Sequence, residues 1–153
     1  LFNFYKKECR DEYPTVDRSY IDFQMSPVDE NTVNHLPTMI TDVTMTNKRM
    51  ERKIILDAKY YVQTLVSRPE EGSKEHIRRE HISQIMSYVL NQEDDSLPYT
   101  LSTNGILVYP KVQSPIFDTY RYRNTDHYIR VCTVDLNKDW KEIDKRLREI
   151  IEF

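Results

Sequence analysis

Two neighbouring stretches of this chain alternate apolar and polar positions in the way that is typical of β-strands. They are residues 38–45 (TMITDVTM) and residues 53–61 (KIILDAKYY), and the polar segment TNKRMER separates them. A connection of this length and polarity favours a β-hairpin or a slightly longer loop between paired strands. We therefore predict two adjacent strands in this part of the chain.

Apolar positions at three- and four-residue steps predict amphipathic helices at residues 74–91 and 137–153, the second with Trp140 in its core stripe. Residues 1–12 have the pattern of the later part of a helix. Further strands are predicted at residues 19–24, 105–112, 117–122 and 128–134, and a polar connection at residues 27–37. This order of elements indicates an α/β fold class with a mixed central β-sheet flanked by helices.

The chain has 153 residues, a length that fits a single domain over residues 1–153. Because residue 1 falls inside a helical pattern, we expect this domain to be the C-terminal part of a longer protein. No apolar run approaches the length of a membrane span, so no membrane partner is predicted. The two cysteines lack a CxxC spacing, which indicates a reduced, cytoplasmic protein.

Charge and glycine content narrow the functional classes. A formal net charge of −3 argues against a broad DNA coat but leaves room for a local basic face. The chain has only two glycines, so it contains no glycine-rich phosphate-binding loop. A nucleotide-hydrolysing site of the P-loop type is therefore excluded.

The candidate chemistry lies in the two predicted strands. Asp57 and Lys59 are two residues apart, so their side chains point to the same face of a strand, and a suitable hairpin register brings Asp42 beside them. Two carboxylates and an ammonium at one point can hold a divalent metal and steady a phosphate oxygen. The alternative is a surface ion pair of little energetic weight. However, Asp57 interrupts an apolar run, as expected of a central strand, where unpaired carboxylates are uncommon.

The predicted helix at residues 74–91 adds a second set of polar side chains. Gln84 and Tyr88 are four residues apart and share a face, with His81 one step behind them. This face either borders a cleft or is an ordinary half-buried helix edge. His76 and His81 are five residues apart, which is the wrong spacing for two zinc ligands on one helix face.

These residues resemble the motifs of a known nuclease superfamily. Asp42 followed by Asp57-Ala58-Lys59 resembles the split motif of the PD-(D/E)xK superfamily, and Gln84-x-x-x-Tyr88 resembles the additional motif of its RecB-like branch. Six ordered stretches also resemble the McrC family, the endonuclease subunits of modification-dependent restriction systems. They are LFNFY at 1–5, LPTMITD at 36–42, IILDAKYY at 54–61, HISQIMSY at 81–88, GILVYP at 105–110 and VDL at 134–136.

The chain departs from these families at some positions. Thr41 stands where the superfamily name has proline, and the chain begins after the glutamate that the family carries upstream of the LFNFY stretch. The N-terminal region by which McrC proteins engage their GTPase subunit is also absent from the sequence. No residue in view can therefore be assigned to activation of that partner.

The resemblance implies a restriction-endonuclease-like core and a Mg²⁺-dependent DNA endonuclease, with Mn²⁺ as a substitute. Asp42, Asp57 and the carbonyl of Ala58 would bind the metal, and Lys59 would orient water or stabilise charge. Gln84 and Tyr88 would steady the site or the DNA backbone. The implied partners are double-stranded DNA and a McrB-like AAA+ GTPase that recognises modified DNA. Two alternatives stay open: a non-catalytic DNA-binding or assembly module, and a nuclease that works without a GTPase.

Overall fold

The computed structural model describes residues 1–29, 31, 35–61, 65–67 and 75–153. In these ranges the helices are α1 (Phe2–Glu8), α2 (Arg79–Asn91) and α3 (Trp140–Glu149), with a short 3₁₀ turn at Pro98–Thr100. The strands are β1 (Thr15–Asp17), β2 (Tyr20–Ile21), β3 (Met39–Ile40), β4 (Val43–Asn47), β5 (Arg52–Ala58), β6 (Leu65–Ser67), β7 (Glu75–Ile77), β8 (Asn104–Pro110), β9 (Phe117–Arg121) and β10 (Tyr128–Val134).

The main sheet has six strands in the order β1-β4-β5-β8-β10-β9. β5 pairs with β8 and β8 with β10 in parallel, whereas the other neighbours are antiparallel, so the sheet is mixed. Two small antiparallel sheets, β2-β3 and β6-β7, accompany it. The predicted class, a mixed central sheet flanked by helices, is confirmed.

The two faces of the main sheet are covered by different helices. Strand alternation sends Ile54 and Leu56 of β5 to one face, where they pack with residues of α1 and α3. The same alternation sends Ile55 to the other face, against Ile85 and Val89 of α2. The next residue on that second face of β5 is Asp57, so its carboxylate is directed toward α2.

The predicted hairpin is confirmed in part. β4 and β5 pair antiparallel with Val43 opposite Leu56, but the strand predicted at residues 38–45 is divided. Its first part is β3, which pairs with β2, and a bend at Asp42 separates β3 from β4. The prediction of one continuous strand was wrong because Thr41, at the bend, bonds to Ser19 instead of continuing the ladder.

Two helix predictions also need correction. The helix predicted from residue 74 begins at Arg79, because Glu75–Ile77 form β7 and pair with β6, while residue 74 lies outside the described residues. Trp140, predicted in the core, is 72% exposed. It is the first residue of α3, directly after the N-cap Asp139, and the buried part of that helix lies further on, at Leu147.

Other predictions are confirmed or lie outside the described residues. The strands predicted at 105–112, 117–122 and 128–134 appear as β8, β9 and β10. The predicted polar connection at residues 27–37 has no helix or strand in its described part, and its residues 30 and 32–34 lie outside it. No helix in the described ranges has both the length and the apolar character that crossing a membrane requires.

Candidate active site

The candidate site is built on the end of the central strand β5. Asp57 is 4% exposed, which is unusual for a carboxylate. Lys59 follows the last residue of the strand, and its backbone N–H donates to the carbonyl of Val108 at 2.8 Å, so the chain still runs beside β8. The Lys59 side chain therefore lies on the same face of the sheet as Asp57, and its Nζ is 2.5 Å from Asp57 Oδ2.

Asp42 reaches this site from the neighbouring strand. The pairing of β4 with β5 ends with Val43 opposite Leu56, and the same register extended by one residue brings Asp42 opposite Asp57. The chain bends at Asp42, and its side chain takes a hydrogen bond from the next free amide of β5: Ala58 N–H donates to Asp42 Oδ2 at 2.8 Å. The structure thus brings Asp42, Asp57, Ala58 and Lys59 together.

The electrostatic balance of the site is set by burial. Burial raises the pKa of Asp57 above its ordinary value, the neighbouring Lys59 opposes this shift, and the negative charge of Asp42 adds to it. A carboxylate in this position needs a nearby cation to remain ionised at low cost. Lys59 is one such cation, and a divalent metal between the two aspartates would be another.

Gln84 and Tyr88 extend the site from α2. Lys59 Nζ donates to Gln84 Oε1 at 2.5 Å, and Gln84 Nε2 donates to the Tyr88 hydroxyl at 2.7 Å. The Tyr88 hydroxyl in turn donates to the carbonyl of Ile40 at 3.2 Å. The chain of bonds runs from the lysine to the segment just before Asp42, so this face of α2 is in contact with the site.

Glycine at one position of β8 lets α2 approach the sheet closely enough for these contacts. A Cβ built on Gly105 would lie 2.7 Å from Ile85 Cγ1 and 2.8 Å from Ile129 Cδ1. Both distances are shorter than real contacts allow. The close approach of α2, which carries Gln84 and Tyr88, therefore depends on Gly105 having no side chain.

Two buried residues beside the site, His81 and Thr41, have no role predicted from the sequence. His81 is 2% exposed, with Nδ1 2.8 Å from the Tyr109 hydroxyl and its ring 4.6 Å from that of Tyr61. Thr41 is also buried and bonds to Ser19. The sequence does point to His81, because this residue lies three positions before Gln84 on the same helix. No local pattern in the sequence indicates that Thr41 bonds to Ser19.

The donor set fits a hard divalent cation. Among the described residues, no group of three or more His, Cys, Asp or Glu side chains could hold a metal. Asp42 and Asp57 supply two carboxylates and the Ala58 carbonyl adds a third oxygen, while Mg²⁺ commonly keeps several waters and takes only one or two carboxylates. One oxygen of Asp42 accepts from Ala58, which leaves the other for a cation.

Fold and site together define an α/β protein with a carboxylate–lysine cluster at the end of the central strands of a mixed sheet. No protein-family model matches the chain. The chain is 30% identical over 152 residues to the type IV methyl-directed restriction enzyme EcoKMcrBC of Escherichia coli strain K12. The match covers 99% of this chain and 40% of that protein, so the chain spans about two-fifths of its relative's length. Nearly the whole chain is therefore similar to part of that restriction enzyme.

Proposed function

We propose that this chain is the catalytic part of a Mg²⁺-dependent DNA endonuclease of the McrC type, with a PD-(D/E)xK core. The observation that carries the proposal is the convergence of Asp42, Asp57 and Lys59 at the end of β5. Their order in the sequence and their place at the neighbouring ends of the paired strands β4 and β5 support the resemblance to the nuclease motif. The relative is a methyl-directed restriction enzyme, which supports a role in a restriction system.

The residues divide the work of phosphodiester hydrolysis. Asp42, Asp57 and the Ala58 carbonyl would hold Mg²⁺, which when bound polarises the scissile phosphate and activates a water. Lys59 would orient that water or stabilise negative charge on the phosphate as it develops. Its side chain is 12% exposed and its ammonium is bound on one side by Asp57, so the ammonium is already directed into the site.

Gln84 and Tyr88 hold the lysine in place. Gln84 accepts a hydrogen bond from Lys59 and donates to Tyr88, and so fixes the direction of the ammonium. Positioning of this kind contributes to catalysis because the reacting groups need no rearrangement once substrate is bound. Basic side chains around the site would hold the DNA backbone in a salt-dependent way without reading its sequence.

The partner assignment also belongs to this proposal. Recognition of the modified base would lie with a McrB-like AAA+ GTPase, and this chain would supply the hydrolysis. The name of the relative joins methyl-directed restriction with the McrBC system, which supports a division of labour of this kind.

The central test is cleavage of modified DNA by the complete complex with Mg²⁺ and the GTPase partner. Asp57→Ala and Lys59→Ala should each abolish cleavage while the circular dichroism spectrum stays that of the wild type. Two control variants match these changes away from the site: Lys53→Ala at the other end of β5, and Asp126→Ala in an exposed turn. Both controls should cut normally. Wild-type cutting by Asp57→Ala and Lys59→Ala would reject the proposal.

Two further measurements separate the alternatives. Calorimetry with Mg²⁺ and Mn²⁺ tests the non-catalytic module, which predicts no binding at millimolar metal. Incubation with unmodified DNA or RNA in the absence of any GTPase tests the independent nuclease. Cleavage under those conditions would favour that alternative, whereas metal binding without such cleavage agrees with the partner-dependent enzyme.

A further inference from the structure

A buried hydroxyl lies directly before Asp42 and joins three segments of the chain. Thr41 is 1% exposed. Its Oγ1 accepts a hydrogen bond from the backbone N–H of Ser19 at 2.9 Å and lies 2.8 Å from the hydroxyl of Thr44. Its own N–H donates to the Ser19 carbonyl at 3.0 Å. Thr41 therefore makes side-chain and backbone bonds to the same distant residue.

These bonds fix the chain where it passes from the small β2-β3 sheet into the main sheet. Ser19 lies between β1 and β2, whereas Thr44 is in β4. The preceding residue is held from the other side, because the Tyr88 hydroxyl donates to the Ile40 carbonyl at 3.2 Å. Residues 40 and 41 are thus bound to α2, to β4 and to the connection between β1 and β2, and the position of the next residue follows from theirs.

Asp42 itself has little that could hold it. It is exposed at the bend, and the bond from Ala58 N–H to its Oδ2 is the only hydrogen bond of its side chain within the described ranges. A carboxylate on an unsupported bend would sample many positions. A cation ligand must instead be kept close to one position, and groups behind metal ligands commonly do this.

We propose that Thr41 is a positioning residue for Asp42: its buried hydroxyl and its N–H, both bound to Ser19, hold the bend so that the Asp42 carboxylate meets Ala58 and faces Asp57. Thr41 acts through Asp42 and does not touch the substrate. The value of this placement for metal binding rests on the proposed function, but the placement itself does not. A proline here, as the superfamily name has it, could not donate the N–H bond to Ser19.

The first test needs no metal. Amide hydrogen exchange at Ala58, measured by NMR, reports on the bond to Asp42. In Thr41→Val, which keeps the shape but lacks the hydroxyl, Ala58 should exchange at least about tenfold faster, while Thr41→Ser should restore the wild-type rate. The matched control is Thr133→Val. Thr133 is also buried, and its hydroxyl accepts a hydrogen bond from the backbone N–H of Ile116. It lies in β10, which β5 and β8 separate from β4 in the order of strands. This control should leave Ala58 unchanged.

The second test is Mg²⁺ binding by calorimetry. Thr41→Val should weaken binding by about 10- to 100-fold, the usual effect of losing a group behind a metal ligand, and Thr41→Ser should bind as the wild type does. If Thr41→Val fails to fold, the same two measurements on Thr41→Ala decide, because alanine also lacks the hydroxyl that accepts from the Ser19 N–H and places no methyl group against that buried amide. Changes of the same direction and size are expected there.

The outcomes separate this inference from the proposed function. Unchanged Ala58 exchange and unchanged Mg²⁺ affinity in the folded Thr41→Val or Thr41→Ala variant would overturn the positioning role. Faster Ala58 exchange in a protein whose wild type binds no Mg²⁺ would support the placement of Asp42 by Thr41 and reject the metal site. Faster exchange together with weaker binding is the expected result.

Discussion

Lys59 Nζ lies 2.5 Å from Oδ2 of Asp57, two residues earlier in the chain, and both side chains are largely shielded from water. A buried ion pair of this kind is costly to break from one side, because the remaining charge stays buried without its partner. The pair therefore serves both the stability of β5 and the charge of the candidate site. These two contributions can be separated by substitution.

Replacing Asp57 with asparagine should weaken the fold as well as the site. Asp57→Asn leaves the Lys59 ammonium buried without its carboxylate, and the free energy of unfolding should fall by about 3 kcal/mol. Urea denaturation measures this change. The double variant Asp57→Asn/Lys59→Met removes both charges and should recover most of the loss. An equally unstable double variant would show that the ion pair is not the cause.

Tyr88→Phe tests the bonds that run from Lys59 to the bend. The substitution leaves the Gln84 amide and the Ile40 carbonyl without their partner, which should cost about 1 kcal/mol of stability. Cleavage should fall by about tenfold, because Gln84 no longer holds Lys59 in one orientation. Tyr13→Phe is the control, since Tyr13 is fully buried and its hydroxyl has no hydrogen-bond partner among the residues that the structure describes. Equal cleavage by Tyr88→Phe and wild type would remove this residue from the site.

Gly105→Ala should separate α2 from the sheet. The new methyl group would meet side chains of Ile85, Ile129 and Val89 at 2.7 to 3.1 Å. The free energy of unfolding should fall by about 1–3 kcal/mol, and cleavage should fall with it because α2 carries Gln84. Adding Ile85→Val makes room and should restore part of both losses. No recovery in the double variant would place the strain elsewhere.

His81 should make the stability of the fold depend on pH. Burial lowers its pKa, and the positive charges of Lys59 and Arg78 lower it further, against the opposing charge of Glu80. The unfolded chain binds a proton on this residue near the ordinary value of about 6.5, whereas the folded chain binds it only at lower pH. Between these two pH values the unfolded state holds more protons, so stability is lost as the pH falls.

The measurement compares urea unfolding of wild type and His81→Phe between about pH 7 and about pH 5. The variant should lose less stability over this range, whatever its stability at neutral pH. His35→Gln, a change at an exposed histidine, should follow the wild-type curve. Parallel curves for wild type and His81→Phe would show that His81 does not titrate differently on folding.

The parts of the fold that follow from local spacing were predictable. The alternation along residues 53–61 placed Asp57 and Lys59 on one face, and helical spacing placed Gln84 and Tyr88 together on α2. The bend at Asp42 was not predictable, because it depends on Ser19, which is 22 residues away from Thr41. Trp140 shows the same limit: its spacing fits the buried stripe of α3, but its position at the first turn leaves it in solvent.

The two halves of the candidate site differ in how they are held. Asp57 belongs to β5, which has paired neighbours on both sides, and Lys59 follows that strand and still bonds to Val108 of β8, so both can shift only if the middle of the sheet opens. Asp42, by contrast, lies at a short bend that a few side-chain hydrogen bonds hold in place. A small local change at the bend should therefore be enough to move Asp42 out of alignment with Asp57 and Lys59.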